Sequence, residues 1–344
     1  MMRTATTVEF GTQWRETADF VIEAERSGLD VCWVAEAWGA DAVSPLGYLA
    51  ARTERLLLGS GVVQVGTRSP VAVAMAAMTL QHLSEGRFLL GLGSSGPQVL
   101  EGLHGLSFDR PLTRMRETIE IVHAASSGEK IDFHGTVHEI PLAGARAMRL
   151  ATDPVSVPIY VAALSPRMLE LTGELGDGWL GTSFVPEGAE AYFGPLRAGL
   201  ASAGRAMTDI DICQGAEVGF AADEHELARM VGARKKELAF SLGGMGSAST
   251  NFYNDAYSRQ GWAEVAAEVR RLWLAGHRDQ ATDLITDDMV LATTLLGTEE
   301  GVRERLRVWR DAGVTTVRLY PAGEKTLDDR LTTLGRAMDI VRSL

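Results

Sequence analysis

Two side chains stand where α/β folds collect reacting groups. Glu36 opens the loop Glu36-Ala37-Trp38-Gly39-Ala40-Asp41, directly beyond the strand-like run Asp30 to Ala35, with no arginine or lysine beside it in sequence to explain it as an ion pair. A carboxylate there could take up or return a proton, and the carboxyl ends of strands are where barrels and open sheets bind ligands. His104 follows the small-residue turn Gly93-Ser94-Ser95-Gly96, and imidazole is the side chain that exchanges a proton near neutral pH. The ordinary alternatives are a solvated loop acid and a histidine packed under a lid. Asp41 reads as a helix N-cap. His134 and His138 share a face if their segment is a strand, but no third ligand stands near, so no metal site is expected. No Ser-His-Asp or Cys-His grouping occurs at interpretable spacing, so a bound redox cofactor carries the chemistry more naturally than a protein nucleophile.

The stretch that would hold such a cofactor runs from Leu56 to Gly105. Leu56 to Val63 is an apolar run too short for a buried helix, and reads as a strand covered on both faces. Ser69-Pro70 supplies an N-cap and a first-turn proline, Val71 to Leu83 is helical, Glu85-Gly86 stops it, and Arg87 to Gly93 is a second buried strand. The unit is βαβ. Gly61 is the odd residue, because glycine weakens a strand and is kept for a bulge or the close approach of another backbone or a ligand. Residues 91–96 also fit G-x-G-x-x-G, but a dinucleotide fingerprint wants a helix at once and an acid about 20 residues on, which Pro97 and its sequel fit poorly. A plain strand-end turn is the other reading. Ser165-Pro166 begins a further helix, whose free N–H groups and dipole suit an anion.

The remaining elements repeat the same rhythm. Thr7 to Phe10 is a plausible first strand, followed by a helix from Trp14 to Ser27, and a helix from Pro45 to Thr53 precedes the central stretch. Pro111 to Ser126 is helical and Ile131 to Ile140 reads as a hairpin. Strands are expected at Pro158 to Ala163, from Asp177, at Ile210 to Ala221 and at Val314 to Tyr320, with helices to Leu175, at Glu224 to Ser241 and at Glu299 to Ala312. About eight strands separated by helices match a single-domain (β/α)8 TIM barrel with insertions better than an open doubly wound sheet. Residues 243–288 are too long for one barrel connection and are expected to roof the pocket.

Composition narrows the class. At 344 residues and 46% hydrophobic content the chain can bury one large core. A net charge of −12 with interspersed signs argues against nucleic acid or a membrane surface as partner. Cys32 and Cys213 lie far apart inside strands and read as buried thiols in a reducing compartment. MMRTATTVEFG lacks the apolar segment of a signal peptide and no stretch is long enough to span a membrane, so a cytoplasmic protein is expected.

The segments LGSGVVQVGTRSP, GRFLLGLGSSGPQVLEGLHG, YVAALSP, GELGDGWLGTS and GGMGS followed by NFY, in this order on a βα rhythm, resemble the luciferase-like flavin and deazaflavin family. The resemblance is strongest to its F420-dependent branch, similar to methylenetetrahydromethanopterin reductase and F420-dependent sugar-phosphate dehydrogenase. It implies a deazaflavin ring against Ser60, Gly61, Val62 and Gln64, with a bulge and a non-prolyl cis peptide at Gly61-Val62. It also implies contacts to the cofactor's chain from Gly93, Ser94 and Ser95, phosphate binding by Ala163, Leu164 and Ser165, and a further cofactor contact at Thr182. Two positions depart from the family pattern: Glu36-Ala37 replaces Asp-His, and Gly96 replaces a glutamate of the sugar-phosphate dehydrogenases. The expected protein is an F420-dependent oxidoreductase, a homodimer moving a hydride to or from a small molecule. The rivals are an FMN-dependent monooxygenase and a flavin or deazaflavin binder without catalysis.

Overall fold

The computed structural model describes residues 2–246, 250–323 and 326–344. Eight parallel strands succeed one another around a ring: β1 Arg3–Val8, β2 Val31–Val34, β3 Leu57–Ser60, β4 Phe88–Gly93, β5 Ile159–Val161, β6 Gly178–Leu180, β7 Asp211–Phe220 and β8 Thr316–Pro321. Each pairs with the next, and β8 pairs back to β1 through Arg3 opposite Thr316, so the sheet closes into the expected (β/α)8 barrel. A parallel sheet needs crossover connections, and the helices that supply them bury its outer face.

Alternation along each strand assigns its side chains to two layers. Cys32, Leu58, Leu90, Ile159, Trp179, Val218, Val317 and Leu319 join the outer core beneath the helices. Ala5, Val31, Trp33, Leu89, Tyr160, Leu180 and Cys213 form a separate cluster inside the barrel. The lumen is filled by setting large residues beside small ones. A Cβ at Gly59, for example, would lie 2.3 Å from the Trp33 ring. The two cysteines therefore sit on opposite faces of the sheet, both free, and burial pushes both thiols up to about 12.

Most sequence-based elements stand within a few residues of expectation, including the helices Trp14–Arg26, Pro70–Leu83, Pro111–Ser126, Pro166–Leu175, Glu224–Gly243 and Glu299–Asp311. The first strand is a correction: it begins at Arg3 and ends at Val8, ahead of the expected Thr7 to Phe10. Its polar threonines misled the apolar criterion, because Thr4 and Thr6 are buried with their hydroxyls satisfied by the Asp30 carboxylate and the Leu319 carbonyl. The hairpin is present, Phe133–His134 against Glu139–Ile140.

Between β7 and β8 the helices Phe252–Tyr257, Ala263–Leu274, Arg278–Asp283 and Asp287–Thr293 pack against the helix Glu224–Gly243 in a cluster of their own around Leu238, Leu242, Tyr257, Val269 and Val290. This unit is tied to loops at the carboxyl ends of the strands. Gln260 accepts from the Val185 amide at 2.7 Å and donates to the Ser183 carbonyl at 2.8 Å, both beyond β6. Gln98, beyond β4, donates to the Gly246 carbonyl. No helix among the described residues is long and apolar enough to cross a membrane.

Candidate functional site

The ladder of β3 stops at Ser60 and resumes at Val63–Gln64, which pair with Leu92 and Gly93 of β4. Between them the backbone bulges, and the Gly61–Val62 peptide is cis, as the resemblance implied. Opposite the bulge β4 carries glycine at each lumen-facing position. A Cβ at Gly91 would lie 1.8 Å from the Ser60 carbonyl oxygen, and one at Gly93 would lie 2.5 Å from Val62 Cγ2. Gly91 must be glycine for the strands to approach here, because the clash is with backbone, whereas at Gly93 a Cβ would have to push the Val62 side chain aside. Ser60 differs from expectation. Its hydroxyl is fully buried, donating to the Gly91 carbonyl and accepting from the Gly91 amide, each at 2.9 Å, so it staples the strands where their ladder is broken. Only its backbone is left for a ligand. Gln64 is buried too. Its amide donates to the Ala37 carbonyl at 2.8 Å while Oε1 is enclosed without a partner.

Glu36 does not stand alone as its sequence neighbourhood suggested. Arg68, 32 positions on, grips both carboxylate oxygens, one at 2.9 Å, and the Ala42 amide donates to Oε2 at 2.9 Å. The adjacency of β2 and β3 brings the loops beyond them together, a pairing that local sequence does not contain. The carboxylate thus ties two mouth loops to each other. Asp41 stands one residue ahead of the expected cap position, which Ala42 takes, and accepts from the Ser44 amide at 2.8 Å. His104 is exposed on the loop after a single helical turn, Pro97–Leu100. That turn starts at Pro97, earlier than the sequence suggested, but it is only four residues long. His134, exposed in the hairpin, is held above its ordinary value by Glu139 first and then Asp132.

A second group gathers beyond β5. Ser165 is the N-cap of the helix Pro166–Leu175, yet its hydroxyl makes no capping bond, and no acid lies in the first turn. Arg259, from the unit between β7 and β8, donates to the neighbouring Leu164 carbonyl at 2.6 Å. A helix N-terminus and a guanidinium together form a setting for a phosphate. Ala163 accepts from the Trp179 indole at 2.9 Å, which fixes this loop on the outer core. Gly93 is buried, Ser94 and Ser95 are half-buried at the end of β4, and Thr182 is exposed at the end of β6.

Sequence reasoning missed three residues here. Alternation in β7 places Asp211, Cys213, Gly215 and Glu217 on the lumen face, with Glu217 at the carboxyl end. Burial pushes the Glu217 carboxyl above its ordinary value, opposed by Arg234 at 3.5 Å. On β8 the same alternation turns Arg318 and Tyr320 inward, the guanidinium 5.9 Å from the Tyr320 ring centroid. Arg259 lay in a segment with no visible strand to anchor it. Glu217 was readable by the same strand-end rule that singled out Glu36, and Arg318 as a charge set between Val317 and Leu319.

The sequence profile of the luciferase-like monooxygenase family matches residues 2–316. Rv3520c of Mycobacterium tuberculosis, provisionally named a coenzyme F420-dependent oxidoreductase, is 40% identical over 309 residues, covering 87% of this chain and 88% of that one. The 5,10-methylenetetrahydromethanopterin reductase of Archaeoglobus fulgidus is 29% identical over 306 residues, 89% of either chain. The solved structure of coenzyme F420-dependent tetrahydromethanopterin reductase from Methanopyrus kandleri superposes with a TM-score of 0.79 at 22% identity over 97% of either chain, a likeness of fold.

Proposed function

The chain belongs to the luciferase-like monooxygenase family, and we propose that it is a coenzyme F420-dependent oxidoreductase acting on a small organic substrate. The observation that carries this reading is the bulge of β3 at Gly61–Val62, which Gly91 and Gly93 of β4 admit into the barrel mouth by leaving room for Ser60 and Val62. A flat ring system can rest there at backbone distance, and the orphaned Gln64 Oε1 offers it an acceptor. The name of the 40% identical relative favours F420 over FMN.

When bound, the deazaflavin would supply a hydride acceptor or donor at its ring carbon. The protein's residues do the rest. Gly61, Val62, Gly93, Ser94 and Ser95 bound the ring and chain, and the Ser165 helix start with Arg259 holds the phosphate. Thr182 lies on the loop that completes this side. Glu217, half-buried and facing the lumen, is better suited than Glu36 to hand a proton to the substrate, since the Glu36 carboxylate is committed to Arg68 and its loop. His104 is the secondary candidate for that task. Within the expected insertion 243–288, residues 250–288 roof the site and exclude water, supported by their ties through Gln260 and Arg259, while 247–249 lie outside the described residues.

Titration of the purified protein with F420 and with FMN, followed by turnover of the reduced forms with and without oxygen, tests the reading. Tight F420 binding and substrate reduction without oxygen uptake is the expected result. FMN preference with oxygen consumption makes the protein a monooxygenase, and F420 binding without turnover on any substrate makes it an inert binder.

A further inference from the structure

Arg318 is 6% exposed, yet the barrel gives its guanidinium little to hold. Nη2 donates to the Gly181 carbonyl, Nε is enclosed without a partner, and among the described residues no carboxylate lies within ion-pair distance. Its partners in register on the flanking strands, Ala5 of β1 and Gly215 of β7, bring it no side-chain acceptor. Arg87 shows what an arginine retained for structure looks like in this fold. It also lacks a carboxylate, but its two Nη atoms donate to the Ala50, Thr53 and Leu56 carbonyls and the Thr53 hydroxyl between 2.9 and 3.1 Å. Arg3, facing the same lumen from the opposite end, is paired with Asp211 at 2.7 Å.

A buried guanidinium with an orphaned Nε, one carbonyl bond and the Tyr320 ring for company is costly to the fold, and an apolar residue of similar volume would serve packing better. We propose that Arg318 is the anion-recognition residue of the barrel mouth, taking a planar oxyanion on the donors that the barrel leaves unpaired. The proposal rests on reading the mouth as the redox site. The oxyanion has two possible sources with one chemistry: a carboxylate on the substrate, or the pyrimidine edge of the deazaflavin, which carries negative charge once reduced. Either would meet a fork of N–H donors in a dry site, where charge-assisted bonds are strongest.

Arg318→Met and Arg318→Lys separate these cases from a structural role. Thermal unfolding is measured first, then binding of acetate, succinate and benzoate to the cofactor-free protein by tryptophan quenching, then the affinities for oxidised and reduced F420. The expected result is a melting temperature for Arg318→Met at or above that of the unaltered protein, with anion affinity lowered about tenfold or more. Arg318→Lys, which keeps the charge and loses the fork, should fall between. A loss confined to the carboxylates assigns the oxyanion to the substrate, and one confined to reduced F420 assigns it to the ring. Unchanged binding of both, whatever the melting temperature, overturns the proposal; if Arg318→Met does not fold, wild-type binding of both by Arg318→Lys does so. Failure of the unaltered protein to bind oxidised F420 would instead count against the assigned cofactor, and the carboxylate measurements would still decide the role of Arg318.

Discussion

The two ends of the barrel lumen use similar residues to opposite effect. At the amino end Asp211 accepts from Arg3 at 2.7 Å, from the Tyr160 hydroxyl at 3.1 Å, and from the Thr316 hydroxyl at 2.8 Å, so charge, phenol and alcohol form one closed network. At the carboxyl end Arg318 Nε and Gln64 Oε1 are enclosed without partners, and Glu217 is pushed up by burial. Polar groups completed by each other stabilise a fold, whereas incomplete ones at the carboxyl ends of strands stand where a ligand can meet them. Mutations at the two ends should therefore separate folding from binding.

The largest expected effect is at the closed end. Asp211→Ala leaves Arg3 and Tyr160 without their acceptor and should lower unfolding free energy by about 3 kcal/mol, discounted for the partial exposure of Arg3, with F420 affinity of the folded protein unchanged. Denaturant unfolding alongside a titration checks both halves; a loss of affinity without a loss of stability would erase the contrast. At the open end, Ser165→Asp brings a carboxylate against the phosphate and should weaken F420 about a hundredfold, while Ser165→Ala, with the backbone N–H groups intact, should weaken it about twofold to fivefold. Equal binding by the aspartate variant would remove the phosphate from this helix.

Gly93→Ala sharpens the comparison further. The new Cβ must displace Val62, whose side chain can rotate where the Gly91 contact with the Ser60 carbonyl could not yield, so stability should fall by about 1 kcal/mol and F420 affinity about tenfold. The smallest effect is a pH dependence. Burial raises the Glu217 carboxyl in the folded state, so the native protein holds this proton at pH values where the unfolded chain has lost it. Its stabilising contribution is complete below the ordinary glutamate range and is lost as pH rises through the elevated folded value. Glu217→Gln should remove that slope, raising the melting temperature modestly at neutral pH and leaving it nearly unchanged in acid. The same variant should lose a pH-dependent limb of turnover, and an unaltered pH profile would return the proton to another group.

How much of this was legible beforehand follows from the range of the forces involved. The βαβ unit, the hairpin and the bulge at Gly61 are written in local patterns of apolar residues, caps and glycine, and they stand where expected. The first strand was displaced because its buried threonines satisfy their hydroxyls across strands, which composition cannot register. Glu36 misled for a related reason: its partner Arg68 is distant in sequence and close only once β2 and β3 are neighbours. Ser60 was placed correctly on the bulged strand, but the direction of its hydroxyl depends on the Gly91 backbone across the ladder. Glu217 and Arg318 carried local signals, a strand-end position and a charge between apolar neighbours, but that both face the mouth follows only once barrel closure turns one face of β7 and β8 into its wall.

The central claim, that the open end of the lumen is a deazaflavin site, is tested most directly by a crystal structure of the protein soaked with F420. The account predicts ring density against the bulged backbone of Gly61–Val62, with the phosphate beside Ser165 and Arg259. Ordered F420 elsewhere on the molecule, or an empty mouth at saturating cofactor, would contradict it.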